Sequence, residues 1–109
     1  MSGHRVVNSP DTHFYTVSKY AVTALTEATR QELRGMKSAV RMNQISPGYV
    51  DTDFFNALSQ DPEYLKKMEN IVKDALSVEN IRDSVMLCLR ASPNCQVGDV
   101  QMRPTVQIT

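Results

Sequence analysis

The sequence has no tryptophan, few glycines and no surplus of charge of either sign. Its four glycines, at 3, 35, 48 and 98, lie far apart, so the chain contains no Gly-rich phosphate loop. Lys and Arg number 12 and Asp and Glu also 12, which argues against a nucleic-acid partner. No apolar run approaches the roughly 18 residues that a membrane span needs. The composition is that of an ordinary globular domain.

Cysteine is also scarce. Cys88 and Cys95 have neither CxxC nor metal-ligand spacing, and Cys88 falls in an apolar helical stretch. We therefore predict a buried free thiol at Cys88 and a reducing environment. The first residues, MSGHRVVNSPDTHF, lack the apolar stretch of a secretory signal. These features favour a cytoplasmic protein.

Hydrophobic periodicity and turn residues predict helices alternating with short strands. Helices are expected at about 13–36, from Asp53, at 61–76 and at 77–92, with strands at 39–46 and 96–103. Gly35 is the expected end of the first helix, and Asp51 or Thr52, Asp61 and Ser77 are the expected N-caps. The residues expected to face inward are Val17, Ala21, Ala24, Leu25, Ala28, Leu33, Tyr64, Leu65, Met68, Ile71, Val72, Leu76, Val78, Ile81, Val85, Leu87, Cys88 and Leu89.

This order of elements predicts an α/β fold with a parallel sheet. Two strands do not make a stable sheet on their own. The pattern is typical of the C-terminal part of a larger unit, and we expect apolar faces of the first helix and of the strand at 39–46 to be uncovered.

The stretch FYTVSKYAV places Tyr15 and Lys19 one helical turn apart on one face. A lysine ammonium beside a tyrosine favours the phenolate and lowers a tyrosine's pKa. Such a tyrosine can exchange a proton with an alcohol near neutral pH, and lysine has spare donors for a ribose hydroxyl. The alternative is an ordinary tyrosine and a solvated lysine on a helix surface, because short motifs often arise by chance.

Two further stretches add weight to the catalytic interpretation. RMNQISPGYVDTDF, residues 41–54, ends a strand in Pro-Gly followed by threonine, and LSVENIRDSVMLCLRASPNCQVGDVQMRP, residues 76–104, predicts a closing helix and strand. Together with YTVSK they resemble the short-chain dehydrogenase/reductase family, whose signature is Tyr-x-x-x-Lys followed by a Pro-Gly-x-x-x-Thr loop. The residues of these stretches are most similar to those of the family's farnesol-dehydrogenase-like branch. The resemblance implies the C-terminal part of a Rossmann-like, doubly wound parallel sheet that lacks its N-terminal cofactor-binding half.

The resemblance also assigns roles to residues. Tyr15 would be the general acid/base, and Lys19 would assist it and bind the nicotinamide ribose. The cofactor-binding residues would be Tyr15, Lys19, Pro47, Gly48, Val50 and Thr52. The Val50 backbone would bond the carboxamide, and the Thr52 hydroxyl a pyrophosphate oxygen near a helix N-terminus. The expected cofactor is NADP, with NAD also possible.

By the same resemblance, residues 1–109 form the catalytic and substrate-binding part of one domain, with a lid at about 53–76. Phe54, Phe55, Leu58, Tyr64, Leu65 and Met68 are candidates to line a pocket for a lipophilic alcohol or ketone, although patterned apolar residues usually form core. His4 and His13 are expected to be loop histidines without a role. The full-length parent is expected to be a homo-oligomer.

The sequence departs from the family pattern in two places. It has no T-G-x-x-x-G-x-G loop, and the serine that should stand three residues before a glycine is missing. Ser2 lies 13 residues before Tyr15, a common family spacing, but it adjoins Gly3. We therefore expect this chain alone to be inactive. Two alternatives remain: a non-catalytic interaction module that associates through its first helix, and an unrelated small α/β domain.

Overall fold

A computed structural model describes His4, Val6, residues 12–53, Ala57 and residues 60–108. The elements in chain order are α1 (His13–Gly35), β1 (Gln44–Pro47), α2 (Pro62–Val72), α3 (Val78–Arg90) and β2 (Asp99–Met102). The predicted succession of helices and strands is confirmed for these five elements. The predicted short helix after Asp53 and the candidate lid residues Phe54, Phe55 and Leu58 lie outside the described residues, as does Ser2.

The two strands pair in parallel, with Gln44 opposite Asp99 and Pro47 opposite Met102. Parallel strands cannot be joined by a tight turn, so a long crossover connects them. Residues 48–98 form this crossover and include α2 and α3, and α3 packs on β1. The predicted α/β architecture with a parallel sheet is therefore confirmed.

Both strands are shorter than the sequence predicted. Backbone pairing begins where Gln44 N–H donates to Gly98 O at 2.9 Å. Before that point side chains join the two segments: Asn43 Nδ2 donates to Val97 O, and Gln96 Nε2 donates to Met42 O. Polar side chains at these positions thus replace the ladder that the apolar run at 39–46 had suggested.

Arg41 ties the entry to β1 onto the end of α3. Its Nη1 group donates to Ala91 O at 2.9 Å, and to Ser92 O and Cys95 O at 3.2 Å each. The last carbonyls of a helix have no intrahelical donor and carry partial negative charge, so a guanidinium suits this position. Arg41 therefore caps α3 from a distant part of the chain.

α1 ends at Gly35, as predicted, but Gly35 is not the residue that takes the left-handed conformation. Gly35 is still helical, Met36 is the C-cap, and Lys37 takes the left-handed conformation with φ 56°. Lys37 N–H donates to Arg34 O and Ser38 N–H to Leu33 O, both at 2.9 Å. These two bonds form a Schellman motif, which usually has glycine in the left-handed position.

The two faces of α1 have unexpected polarity. The face toward the sheet carries Thr16, which is buried, and the half-buried Thr23 and Thr26. The apolar residues predicted to face inward are largely exposed, as Val17 at 62% and Leu25 at 65% show. The uncovered apolar face that we expected on α1 is therefore present.

The later helices begin at the predicted residues. Asp61 accepts a hydrogen bond from Glu63 N at 3.1 Å, with Pro62 at the first helical position, and Ser77 forms a capping box with Asn80. α2 ends four residues earlier than predicted because Leu76 leaves it to form a parallel bridge with Val50. The inward-facing residues of α2 are half-buried.

α3 buries less apolar surface than the sequence suggested. Cys88 is a buried free thiol at 5% exposure, as predicted, and Ser84 is buried beside it. The predicted inward positions Val78, Val85, Leu87 and Leu89 are instead exposed. The core within the described residues is correspondingly small.

Replacing Arg41 with methionine should lower the free energy of unfolding by about 1–3 kcal/mol, because methionine keeps the apolar stem but leaves the carbonyls at the end of α3 without their charged donor. Chemical denaturation followed by circular dichroism measures this change. The matched control is Arg103→Met, since Arg103 is an exposed arginine. Equal losses in the two variants would contradict the capping role.

Lys37→Gly should raise the free energy of unfolding by about 1 kcal/mol, because glycine has no Cβ to strain the left-handed conformation. Gly35→Ala should also stabilise the chain, by about 0.5–1 kcal/mol, since a Cβ on this helical glycine meets open space. The same denaturation experiment measures both. If Gly35→Ala destabilised the chain, Gly35 rather than Lys37 would be the residue in the left-handed conformation.

Candidate active site

Tyr15 and Lys19 lie together on the first turns of α1. Lys19 Nζ is 5.3 Å from the centroid of the Tyr15 ring, within the range of a cation–π contact. Tyr15 is 42% exposed and Lys19 is half-buried. Ser18 Oγ donates to Tyr15 O at 2.7 Å, so the small residue before the lysine bonds back to the helix. The helical spacing alone accounts for this juxtaposition.

Two contacts establish the direction of α1 relative to β1. Arg34, near the end of α1, donates to Val40 O, and Thr23, farther back in the helix, accepts from Gln44 Nε2 at 3.0 Å. The contacts move back along α1 as the chain advances from Val40 to Gln44. Helix and strand therefore run in opposite directions.

This orientation brings the two predicted parts of the site to one end of the fold. Tyr15 precedes Thr23 by eight residues, about 12 Å along the helix axis. It lies toward the end of β1 from which residues 47–52 continue. The Tyr15–Lys19 pair and this loop thus share the carboxyl end of the strand, where α/β sheets usually bind ligands.

Backbone hydrogen bonds hold the loop at residues 47–52 on both sides. Gly48 N–H donates to Met102 O at 2.7 Å, which extends the pairing with β2. On the other side Leu76 N–H donates to Tyr49 O at 2.8 Å, and Asp51 N–H donates to Leu76 O at 2.9 Å. The loop is therefore anchored between the end of β2 and the segment that precedes α3.

The anchoring of the loop leaves the backbone N–H and C=O of Val50 available to a ligand. Its neighbours are engaged, but its own N–H and C=O bond to no group in the described part of the chain. The residue is half-buried. Polar backbone groups in such a position normally have a partner, and a carboxamide, which has one donor group and one acceptor, matches an adjacent N–H and C=O. Val50 therefore fits the role expected for it toward a nicotinamide.

Thr52 follows as an exposed residue. Ala57 N–H donates to Asp53 O at 3.1 Å, a bond with helical spacing that begins directly after Thr52. The role expected for the Thr52 hydroxyl toward a phosphate oxygen stays a prediction.

The sequence profile of the short chain dehydrogenase family matches residues 1–63, more than half of the chain. The chain belongs to the short-chain dehydrogenase family. This match contains both the Tyr15–Lys19 pair and the loop at residues 47–52.

Individual members of the family are similar along most of this chain. Dehydrogenase/reductase SDR family member 11 of Bos taurus is 47% identical over 110 residues, which are 100% of this chain and 43% of the bovine protein. The Homo sapiens protein of the same name is 46% identical, with 100% of this chain and 42% of the human protein covered. Farnesol dehydrogenase of Aedes aegypti is 34% identical over 102 residues, 94% of this chain and 38% of that protein.

The chain thus spans less than half the length of these short-chain dehydrogenases. Its two-stranded parallel sheet with flanking helices is consistent with part of a Rossmann-like sheet. No helix in the described ranges is long and apolar enough to cross a membrane. Nor does any group of three or more His, Cys, Asp or Glu side chains there form a metal site.

A polar network that the sequence analysis missed joins the two strands to α1. Ser46, buried at 4% exposure, donates to Asp99 Oδ1 at 2.7 Å, and Gln44 Nε2 donates to Ser46 Oγ at 3.1 Å as well as to Thr23. His4 lies outside helices and strands, as predicted, and its Nε2 contacts Asp99 Oδ2 without hydrogen-bond geometry. The loop prediction for His13 is wrong, because this residue begins α1. The sequence signal for this network was Asp99, an acidic residue at the first position of the last strand.

Glu27, Arg30 and Gln31 form a hydrogen-bonded cluster farther along α1. Hydrogen bonds from Arg30 and then Gln31 lower the pKa of Glu27 to about 2, and the same contact raises the pKa of Arg30. Glu27 is twelve residues beyond Tyr15, about 18 Å along α1. This exposed cluster therefore contributes little to the electrostatics of the Tyr15–Lys19 pair.

Proposed function

We propose that this chain forms the catalytic and substrate-binding part of an NAD(P)-dependent alcohol dehydrogenase or carbonyl reductase. The observation that carries the proposal is the pairing of two features at one end of β1. One is the contact between Tyr15 and Lys19, and the other is the available N–H and C=O of Val50 in an anchored loop. Membership of the short-chain dehydrogenase family supports an oxidoreductase.

Each residue has a defined task in this proposal. A bound nicotinamide supplies or accepts the hydride. Tyr15 donates a proton to the substrate oxygen during reduction and takes it back during oxidation. Lys19 assists through its positive charge and holds a ribose hydroxyl. Pro47 and Gly48 shape the loop in which Val50 holds the carboxamide, while Thr52 binds a phosphate oxygen.

The proposed substrate is a lipophilic alcohol or ketone. Tyr64, Leu65 and Met68 are half-buried on α2, and this partial exposure leaves apolar surface available to a ligand. The name of the Aedes aegypti relative specifies farnesol, a lipophilic alcohol. NADP is the proposed cofactor and NAD the alternative. We also propose a cytoplasmic location.

The expected affinity for the cofactor is low, because a sequence without a Gly-rich loop offers contacts to the nicotinamide end alone. Nitrogen–proton NMR titration with nicotinamide mononucleotide and with NADP should shift the Val50 amide, with Kd in the millimolar range for both. Comparable affinities are expected because the two probes share the nicotinamide riboside. An unmoved Val50 amide at saturating probe would contradict the proposal.

Matched controls are available on α1 and directly after it. Lys19→Ala should weaken binding several-fold by removing the ribose contact, whereas Lys37→Ala should not. Tyr15→Phe should abolish shifts near the phenol oxygen, and Tyr20→Phe, at a tyrosine of similar exposure (41% against 42%), should preserve them. If both lysine variants weakened binding equally, the probe would be binding through unspecific charge attraction.

A second function, association through α1, is favoured by the exposed apolar face. Phe14, Val17, Ala21, Ala24 and Ala28 recur at alternating spacings of three and four residues, as in a helix–helix seam. Phe14 is 84% exposed and Val17 62% exposed. The small alanines would let a second copy of α1 approach closely. This association is compatible with catalysis, and it would also operate without it.

Leu25→Glu should shift a concentration-dependent monomer–dimer equilibrium toward monomer, because it places a charge beside this face. Sedimentation equilibrium measures the change. Leu89→Glu on α3 is the matched control, since Leu25 and Leu89 are both 65% exposed. A chain that is monomeric at every concentration, or an equal effect of the two variants, would exclude self-association through α1.

A further inference from the structure

The segment after β2 folds back over the loop that contains Val50. Pro104 is buried, and Gln107 N–H donates to Pro104 O at 3.0 Å, which closes a tight turn. The turn directs the half-buried Gln107 side chain onto the Gly48–Tyr49 peptide. Gln107 Oε1 accepts a hydrogen bond from Tyr49 N–H at 3.2 Å.

Gly48 makes this approach possible. A Cβ at this position would lie 2.3 Å from Gln107 Oε1 and 3.2 Å from Pro104 Cδ. The φ of Gly48 lies outside the left-handed region, so backbone conformation does not require glycine here. The requirement is steric: the Gln107 carboxamide occupies the space that any larger residue would fill.

The contact supports the Gly48–Tyr49 peptide, one unit before the peptide that carries the Val50 N–H. Leu76 holds Tyr49 O and thereby fixes the orientation of the Tyr49–Val50 peptide, while Gln107 holds Tyr49 N–H. Loss of the Gln107 bond would release the Gly48–Tyr49 peptide and let the start of the loop shift. The position from which the loop presents Val50 therefore depends on a side chain from residue 107.

We propose that Gln107 is a positioning residue, whose carboxamide, seated against Gly48, holds the Gly48–Tyr49 peptide and so fixes where the loop places Val50 relative to the nicotinamide. This role rests on the proposed function of the loop, but the contact itself does not. Binding geometry tolerates little displacement, so a shift of the loop at Val50 should weaken cofactor binding.

The first test needs no cofactor. Hydrogen exchange of the Tyr49 amide, measured by NMR on the whole chain, reports the bond to Gln107. Gln107→Met, which keeps the length but lacks the acceptor, should lower the protection of this amide about fivefold, since a typical hydrogen bond contributes about 1 kcal/mol. Gln107→Glu keeps an acceptor oxygen and should retain the protection. Gln101→Met, at an exposed glutamine of β2, is the control and should change nothing at Tyr49.

Gly48→Ala provides an independent arm. The added Cβ should expel the carboxamide and lower Tyr49 protection as Gln107→Met does. In a Gln107→Ala background, where the space is vacant, Gly48→Ala should cause little further loss. Additive losses would overturn the steric account, because they would mean that the two residues do not compete for one space.

The last arm is titration with nicotinamide mononucleotide. Gln107→Met should weaken binding about fivefold, in line with the lost bond, and Gln107→Glu should restore it. Unchanged Tyr49 protection in Gln107→Met would overturn the role of Gln107 even if the parent chain binds the probe. Reduced protection with unchanged affinity would overturn positioning toward the cofactor. Failure of the parent chain to bind the probe would refute the proposed function. This failure is distinguishable from failure of the Gln107 proposal, because the Tyr49 exchange experiment does not involve the probe.

Discussion

Parallel pairing of β1 with β2 is the contact on which the rest of this fold depends. It joins residues more than fifty positions apart in the chain, and the connection between them must pack against the sheet that it closes. Polar side chains reinforce the pairing at both ends. Arg41, Asn43 and Gln96 link the segments before the strands, and Gln107 links the segments after them. The candidate site lies at the second of these ends.

The polarity of α1 follows from the same pairing. Because the buried Ser46 hydroxyl donates a hydrogen bond to Asp99 across the strands, the surface under α1 is polar and accommodates threonines and the Gln44 amide. A buried polar group must be hydrogen-bonded, so this arrangement specifies where α1 crosses the sheet. The apolar face of the helix then points away from β1. That face is the surface through which a second copy could associate.

The loop at residues 47–52 combines rigid support with two unused backbone groups. Met102, Leu76 and Gln107 engage the peptides around Val50, and within the described residues the N–H and C=O of Val50 remain free. A site that must hold a planar carboxamide needs both properties, since groups that are held before binding lose less entropy when the ligand arrives. This arrangement links the helix that carries Tyr15 and Lys19 to the loop that carries Val50 through the strand between them.

The sequence by itself determined the local features of this protein. Helix starts at Pro62 and Val78, the buried thiol of Cys88 and the contact of Tyr15 with Lys19 follow from caps, periodicity and helical spacing, all of which act within a few residues. The tertiary structure alone decided where the ladder begins, why Gly48 is glycine, that Lys37 takes the left-handed position after α1, and which backbone groups remain available at Val50. These features depend on contacts between residues that are far apart in the sequence and that strand pairing brings together. Short-range sequence patterns do not predict such contacts.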